Sequence, residues 1–174
     1  MRTRPKRFGV IVGSVTVTRS QVLLIETTLA PVRLSEFQLG PTTTGVPADG
    51  ASFAVGTLPS TWGETGPGTA HSLAVGFDTY NNGGAGDIGI HVWVNGAHFI
   101  ANPTNPYTNG TSVPVEISYD QSSGLTVKFN GTTIFNNVAL AGFSFQIGDQ
   151  FGIGARTGGA AERVIIDDVQ IAPH

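Results

Sequence analysis

Short runs of β-branched and aromatic residues, each closed by Gly, Pro or Asn, recur along the whole chain, and no stretch carries the i, i+3, i+4 apolar spacing of an amphipathic helix. Strands are expected near residues 9–18, 21–28, 33–39, 51–55, 72–77, 88–94, 97–100, 113–119, 125–129, 132–136, 150–155 and 163–171. With 24 Gly, 10 Pro and only 12% charged residues, helix formers are scarce and turn formers common, so composition points the same way.

Two Asn-Gly dipeptides, Asn95-Gly96 and Asn130-Gly131, lie between alternating apolar runs. Both residues of the pair tolerate positive φ, so each dipeptide is expected to close a tight antiparallel hairpin. In the second hairpin Leu125, Val127 and Phe129 alternate with Thr126 and Lys128, giving one core face and one wet face. A dozen such strands in 174 residues can close as one two-sheet sandwich or jelly roll. No fixed-period repeat argues for a propeller or solenoid. Residues 8–174 are therefore expected to form a single domain, with 1–7 as a basic tail. Long loops are expected at 40–50, 56–70, 101–112 and 157–161, where binding residues on a sheet scaffold usually lie.

Arg2, Arg4, Lys6 and Arg7 supply four of the nine bases, so twelve acids face five bases in the body of the chain. An acidic body disfavours a nucleic-acid partner and favours cation binding by carboxylates. The chain has no cysteine, which excludes disulfides, thiolate zinc sites and a Cys nucleophile. The basic start and apolar run 8–12 superficially resemble a signal peptide, but the run is too short and Gly-broken for its core, and the alternative is one or two strands over 8–18. No segment is long enough for a transmembrane helix, so membrane insertion is not expected.

Four segments in order, ADGASF (48–53), LAVGFDTYNN (73–82), IGIHVWVNG (88–96) and FGIGARTGGAAERVIIDDVQI (151–171), resemble the L-type lectins. This concanavalin A-like group includes the legume lectins and the cargo lectins of the eukaryotic secretory pathway. A looser likeness links the chain to bacterial domains of the same superfamily, which are often embedded in large surface or secreted proteins. The resemblance implies an all-β, concanavalin A-like β-sandwich (jelly roll) of two antiparallel sheets that binds a glycan or polysaccharide. It also implies a secreted or cell-surface location.

By that resemblance Asp49, in the Ala-Asp-Gly turn, accepts hydrogen bonds from sugar hydroxyls, as an ionised carboxylate does well. One calcium ion is implied between the Asp78 carboxylate, the Tyr80 carbonyl and the Asn82 side chain, with Asp87 as a further carboxylate. Asn82 also touches the sugar and so couples the two sites. Gly158 and Gly159 match the loop whose backbone contacts sugar, and Trp62, in the long 56–70 loop, is the leading candidate for stacking on a sugar face. Trp93, on a strand, reads first as core packing. Arg156 either pairs with Asp49 or Glu162 or lies on the surface, with the surface favoured.

Bland readings stand beside these: Asp49 as an ordinary Asp-Gly turn residue, and 78–87 as a Gly-rich turn capping a strand. The chain also departs from the legume pattern. Gly76 replaces the Glu that binds a transition metal there, and Asp87 replaces a His, so a two-metal site is not expected. The four His show no metal-ligand spacing.

Catalysis is not expected. No alternating acids suit a retaining glycosidase, and the adjacent Asp167 and Asp168 point to opposite faces of a strand. No Gly-x-Ser-x-Gly elbow or phosphate loop occurs. The leading expectation is a calcium-dependent carbohydrate-binding module. The alternative is a structural or adhesive lectin-like module of a larger extracellular protein or assembly that has lost sugar binding, and homo-oligomerisation is a further option.

Overall fold

A computed structural model describes residues 15–17, 22–26, 32–41, 48–83, 87–156 and 162–171. They form twelve strands: β1 (Val15–Val17), β2 (Val22–Glu26), β3 (Val32–Pro41), β4 (Gly50–Gly56), β5 (Ser72–Asp78), β6 (Gly89–Val94), β7 (Ala97–Asn102), β8 (Val113–Asp120), β9 (Gly124–Phe129), β10 (Thr132–Val138), β11 (Gln150–Arg156) and β12 (Glu162–Ile171). No helix occurs among the described residues. Every strand falls on an expected run, with ends displaced by a few residues. Residues 1–14, including the basic tail, lie outside the described residues.

Two six-stranded antiparallel sheets result, in the orders β1-β12-β3-β8-β9-β10 and β2-β11-β4-β5-β6-β7. Both Asn-Gly hairpins form as expected. Asn95 and Gly96 (φ 52° and 78°) join β6 to β7, and Asn130 and Gly131 (49° and 74°) join β9 to β10. These paired positive φ values match the twist of the flanking strands, which is why this dipeptide is chosen there.

Period-two alternation sends one side chain in two to the space between the sheets. Phe37, Val115, Val127, Phe129 and Ile166 from the first sheet meet Phe53, Val75, Phe77, Ile90, Val92 and Ile153 from the second. Four of these are phenylalanines in tilted and edge-to-face contact: Phe77 lies 5.0 Å from Phe37, 5.7 Å from Phe53 and 5.8 Å from Phe129, centroid to centroid. Residues 139–149, not anticipated as a long loop, add Leu140 and Phe143 to this core. The Tyr119 hydroxyl donates to the Phe143 carbonyl (2.9 Å), and His71, stacked on Phe143, pairs with the buried Asp149 (2.7 Å).

The second sheet is covered on its outer face too, which is why every residue of β5 is buried. Loop 57–71 folds back over β4, β5 and β11, where the outward positions are kept small: Ser52, Ala54, Ala74, Gly76 and Gly154. Trp62, Ala54 and Ala74 make a second, smaller apolar cluster there, with Leu58 and Trp93 against it. The fit leaves no spare room. A Cβ on Gly154 would lie 2.2 Å from Trp62 Nε1, and one on Gly76 would lie 2.1 Å from the Glu64 carbonyl oxygen.

Candidate functional site

The start of β4, the end of β5 and the end of β11 share one end of the second sheet, where Gly50 pairs with both Asp78 and Arg156. Only glycine fits at position 50. Its φ is +137°, and a Cβ would lie 2.1 Å from the Phe77 carbonyl oxygen. That close approach brings Asp49, which follows a cis Ala48-Asp49 peptide, beside the end of β5. The Asp49 N–H donates to the Arg156 carbonyl (3.1 Å), and its own carbonyl accepts from Thr79 N (3.0 Å). Asp49 and Asp78, expected from the sequence to belong to one site, are therefore neighbours.

Arg156 bridges two carboxylates. Its Nε pairs with Asp49 Oδ2 at 3.1 Å and its Nη2 with Glu64 Oε1 at 2.6 Å. Arg156 is thus exposed, as expected, and also pairs with Asp49, one of the two partners considered, but not with Glu162. The side chain is half exposed (51%), but its head group is held by Asp49 and by a glutamate the sequence reading passed over. Glu64 reaches it because loop 57–71 packs tightly: a Cβ on Gly63 would lie 2.9 Å from Arg156 Cβ. Glu162 instead faces Thr79, whose hydroxyl lies 3.0 Å from both of its carboxylate oxygens.

Past β5 the chain turns by local side-chain-to-backbone bonds. Asp78 Oδ1 accepts from Tyr80 N (2.9 Å), Asn81 Oδ1 accepts from Gly83 N (2.7 Å), and Asp87 Oδ2 accepts from Asn82 N. The Asp87 carbonyl accepts from His91 Nε2 (3.0 Å), which fixes that ring's tautomer, so His91 Nδ1 accepts from His98 Nε2 at 3.2 Å. A cavity of about 560 Å³ opens beside this turn. Its walls include Asp78, Asn82 and Asp87 from the turn, Glu64 from the covering loop, Arg156 from β11, and His91, Trp93 and His98 from the β6–β7 hairpin.

The electrostatics are those of too many carboxylates for one guanidinium. Burial, abetted by the charges of Glu64, Asp87 and Asp49, pushes the Asp78 carboxyl up to about 7 against the Tyr80 N–H bond that favours its charge. Burial likewise pushes Glu162 up to about 7 and raises Glu64. His91 is driven down by burial, so it stays neutral near pH 7.

The expected site residues thus divide. Asp78, Asn82 and Asp87 line one cavity, Tyr80 is half buried in the same turn, and Asp49 reaches the cavity edge through Arg156. Gly158 and Gly159 lie outside the described residues. Trp62 is corrected: it is only 7% exposed, its ring lies over Gly154, and its indole N–H donates to Ser52 Oγ (3.1 Å), so it is a packing residue without a face for a ligand. Trp93, expected to pack in the core, packs against the smaller outer cluster of Ala54, Trp62 and Ala74 and also lines the cavity. Among the described residues no three or more His, Asp or Glu side chains come together as a ready metal-ligand set.

By sequence the chain matches no protein-family model and no curated protein. By structure it matches solved lectins over nearly its whole length. The basic winged bean lectin with Tn-antigen superimposes with a TM-score of 0.66 at 21% identity, covering 95% of this chain and 90% of that one. The fold is that of the L-type lectins. The VIP36 exoplasmic/lumenal domain in its Ca²⁺/mannose-bound form gives a TM-score of 0.68 at 17% identity, covering 95% and 80%. The Emp47p carbohydrate recognition domain gives 0.62 at 16%, covering 97% and 86%. This lectin-like domain keeps the two-sheet sandwich, which is where the resemblance of its four motifs pointed.

Proposed function

We propose that this lectin-like domain binds carbohydrate and does so with one calcium ion. The observation that carries the proposal is the juxtaposition of Asp49 and Asp78 beside a cavity large enough for a sugar. In this reading Asp78, Asn82 and Asp87 hold calcium with the Tyr80 carbonyl, while Asp49 and Asn82 accept and donate hydrogen bonds to sugar hydroxyls. The Gly158-Gly159 segment lends backbone contacts.

The donor chemistry fits calcium. Asp78 and Asp87 offer carboxylates to one cavity, Asn82 an amide oxygen, and the burial of Asp78 without a counter-charge is relieved by a divalent cation. Calcium also draws together a turn now closed by Asp87 on Asn82 N–H, which readies Asn82 for a ligand. The neighbours lend support: VIP36 is crystallised with Ca²⁺ and mannose, and the winged bean lectin with Tn-antigen. The lumenal setting of VIP36 favours a secreted or cell-surface location for this chain. Non-catalytic binding to glycans follows, without nucleic acid.

Glycan-array screening followed by calorimetry, with calcium and with EDTA, tests this. Binding that appears with calcium and vanishes with EDTA is expected, and signals indifferent to EDTA would sink the calcium-coupled site. One observation favours a second reading, a structural or adhesive module without sugar binding: Arg156 already occupies an oxygen of Asp49. Absence of any array signal with calcium present decides for it.

A further inference from the structure

Glu64 is a buried cavity acid that the calcium and sugar-hydroxyl roles leave without a task. It is 1% exposed, its Oε1 is taken by Arg156, and its Oε2 has no hydrogen-bond partner. Buried carboxylate oxygens are normally satisfied, so an orphan on a residue that lines a cavity marks a place for a donor. Arg156 meets Glu64 through Nη2 alone and so serves only Oε1, its Nε being held by Asp49. Calcium on Asp78 and Asp87 would cancel their charges and still leave Asp49 and Glu64 sharing one guanidinium. Burial raises the Glu64 carboxyl above its ordinary value, as expected of an acid short of counter-charge.

The same cavity carries Trp93, partly exposed, its ring stacked on His91 at 5.4 Å. A carboxylate and an indole in one cavity suit an ammonium group, which makes charge-assisted hydrogen bonds to the first and a cation–π contact with the second. We propose that the cavity selects sugars bearing a free primary amine, with the ammonium donating to Glu64 Oε2 and resting against Trp93. This inference rests on the carbohydrate reading above and names its ligand class. N-acetylation removes the charge and adds bulk, so it abolishes the advantage.

The test is calorimetry of the full chain with calcium near neutral pH, against β-1,4-linked glucosamine, N-acetylglucosamine and glucose oligosaccharides of equal length. The glucosamine oligomer is expected to bind about tenfold tighter than the other two, the gain of one desolvated ion pair. Glu64→Gln should bring that ratio to within about twofold, and Trp93→Phe, which keeps a ring with a weaker face, should reduce it severalfold. Affinities within about twofold across the three sugars, or an undiminished ratio in Glu64→Gln, overturn the inference while leaving sugar binding intact. Binding of none of the three, with an array signal for other glycans, overturns this inference alone, whereas an array silent with calcium present overturns the carbohydrate reading as well.

Discussion

Replacing Glu162 by Gln should make the protein more stable at alkaline pH and leave it unchanged in mild acid. Glu162 opens β12 with 1% exposure, and among the described residues its hydrogen-bond donor is the single Thr79 hydroxyl, 3.0 Å from each oxygen. Arg156 is already engaged by Asp49 and Glu64. Burial, then the charges of Asp49, Asp78 and Glu64, lift its carboxyl from 4.5 to about 7. Between those values the folded state holds a proton that the unfolded chain has released. Stability from this group is therefore complete below the unfolded value and falls as pH rises through the window to about 7. At about 1.4 kcal/mol per unit, the loss is on the order of 3 kcal/mol. The amide of the Glu162→Gln variant never ionises and can still accept from Thr79. Thermal unfolding in EDTA, followed by circular dichroism, should show equal Tm values at about pH 4.5. At about pH 8 the variant should melt roughly 6–12 °C higher. Part of that gain comes through Asp78, whose charge is one of those that raise the Glu162 carboxyl. Equal melting at alkaline pH would refute the claim of a buried acid without counter-charge. An equal gain at both pH values would assign the effect to packing.

Three further outcomes follow from the same geometry. Gly76→Ala forces a Cβ to within 2.1 Å of the Glu64 carbonyl oxygen and 2.5 Å of the Trp93 ring, so it should destabilise the fold. A cost of about 1–3 kcal/mol is expected from overpacking, read as a lower urea midpoint with unchanged m-value. Ser52→Ala strands the Trp62 indole N–H and removes a 2.7 Å bond to the Gly63 carbonyl, which should cost about 1–3 kcal/mol and shift Trp emission. Under the proposed function, calcium at a hundredfold excess over its Kd should stabilise the wild type by about 2.7 kcal/mol, and Asp78→Asn should abolish that increment in a thermal-shift titration.

The strands were legible because their signals are local. Leu125, Val127 and Phe129 declare a buried face by alternation alone, and Asn130-Gly131 declares the turn that ends it. The pairing of Gly50 with Asp78 was reachable only through the resemblance of ADGASF and GFDTYNN to lectin motifs, since nothing local links the two segments. The outer layer was not legible. Ala74, Gly76 and Gly154 are visibly small in the sequence, but their smallness acquires a reason only when loop 57–71 is seen lying on them. Trp62 was misjudged on the same account: a Trp in a long loop reads as an exposed platform unless the loop is known to fold back onto the sheet. Glu64 is the one acid of that loop, which is a signal of sorts, but its partner Arg156 stands 92 positions away.

That covering loop changes what the Asp49–Asp78 end of the sheet can be. On an open sheet, Asp49 would meet solvent on the same side as Asp78 and a ligand would lie across both. Here Arg156, itself held by Glu64, pairs with one Asp49 oxygen, so under the proposed function Asp49 would meet a ligand with that oxygen already engaged, in a space bounded by Glu64, Arg156 and Trp93. Gly76 belongs to the same change. The position where legume lectins carry a metal-binding Glu has no room for any side chain, because the Glu64 backbone and Trp93 fill it. The loss of that carboxylate and the arrival of the Glu64 carboxylate are thus two consequences of one packing event. Together they place the negative charge on the cavity wall rather than on the strand, with one Glu64 oxygen held by Arg156 and the other unpartnered.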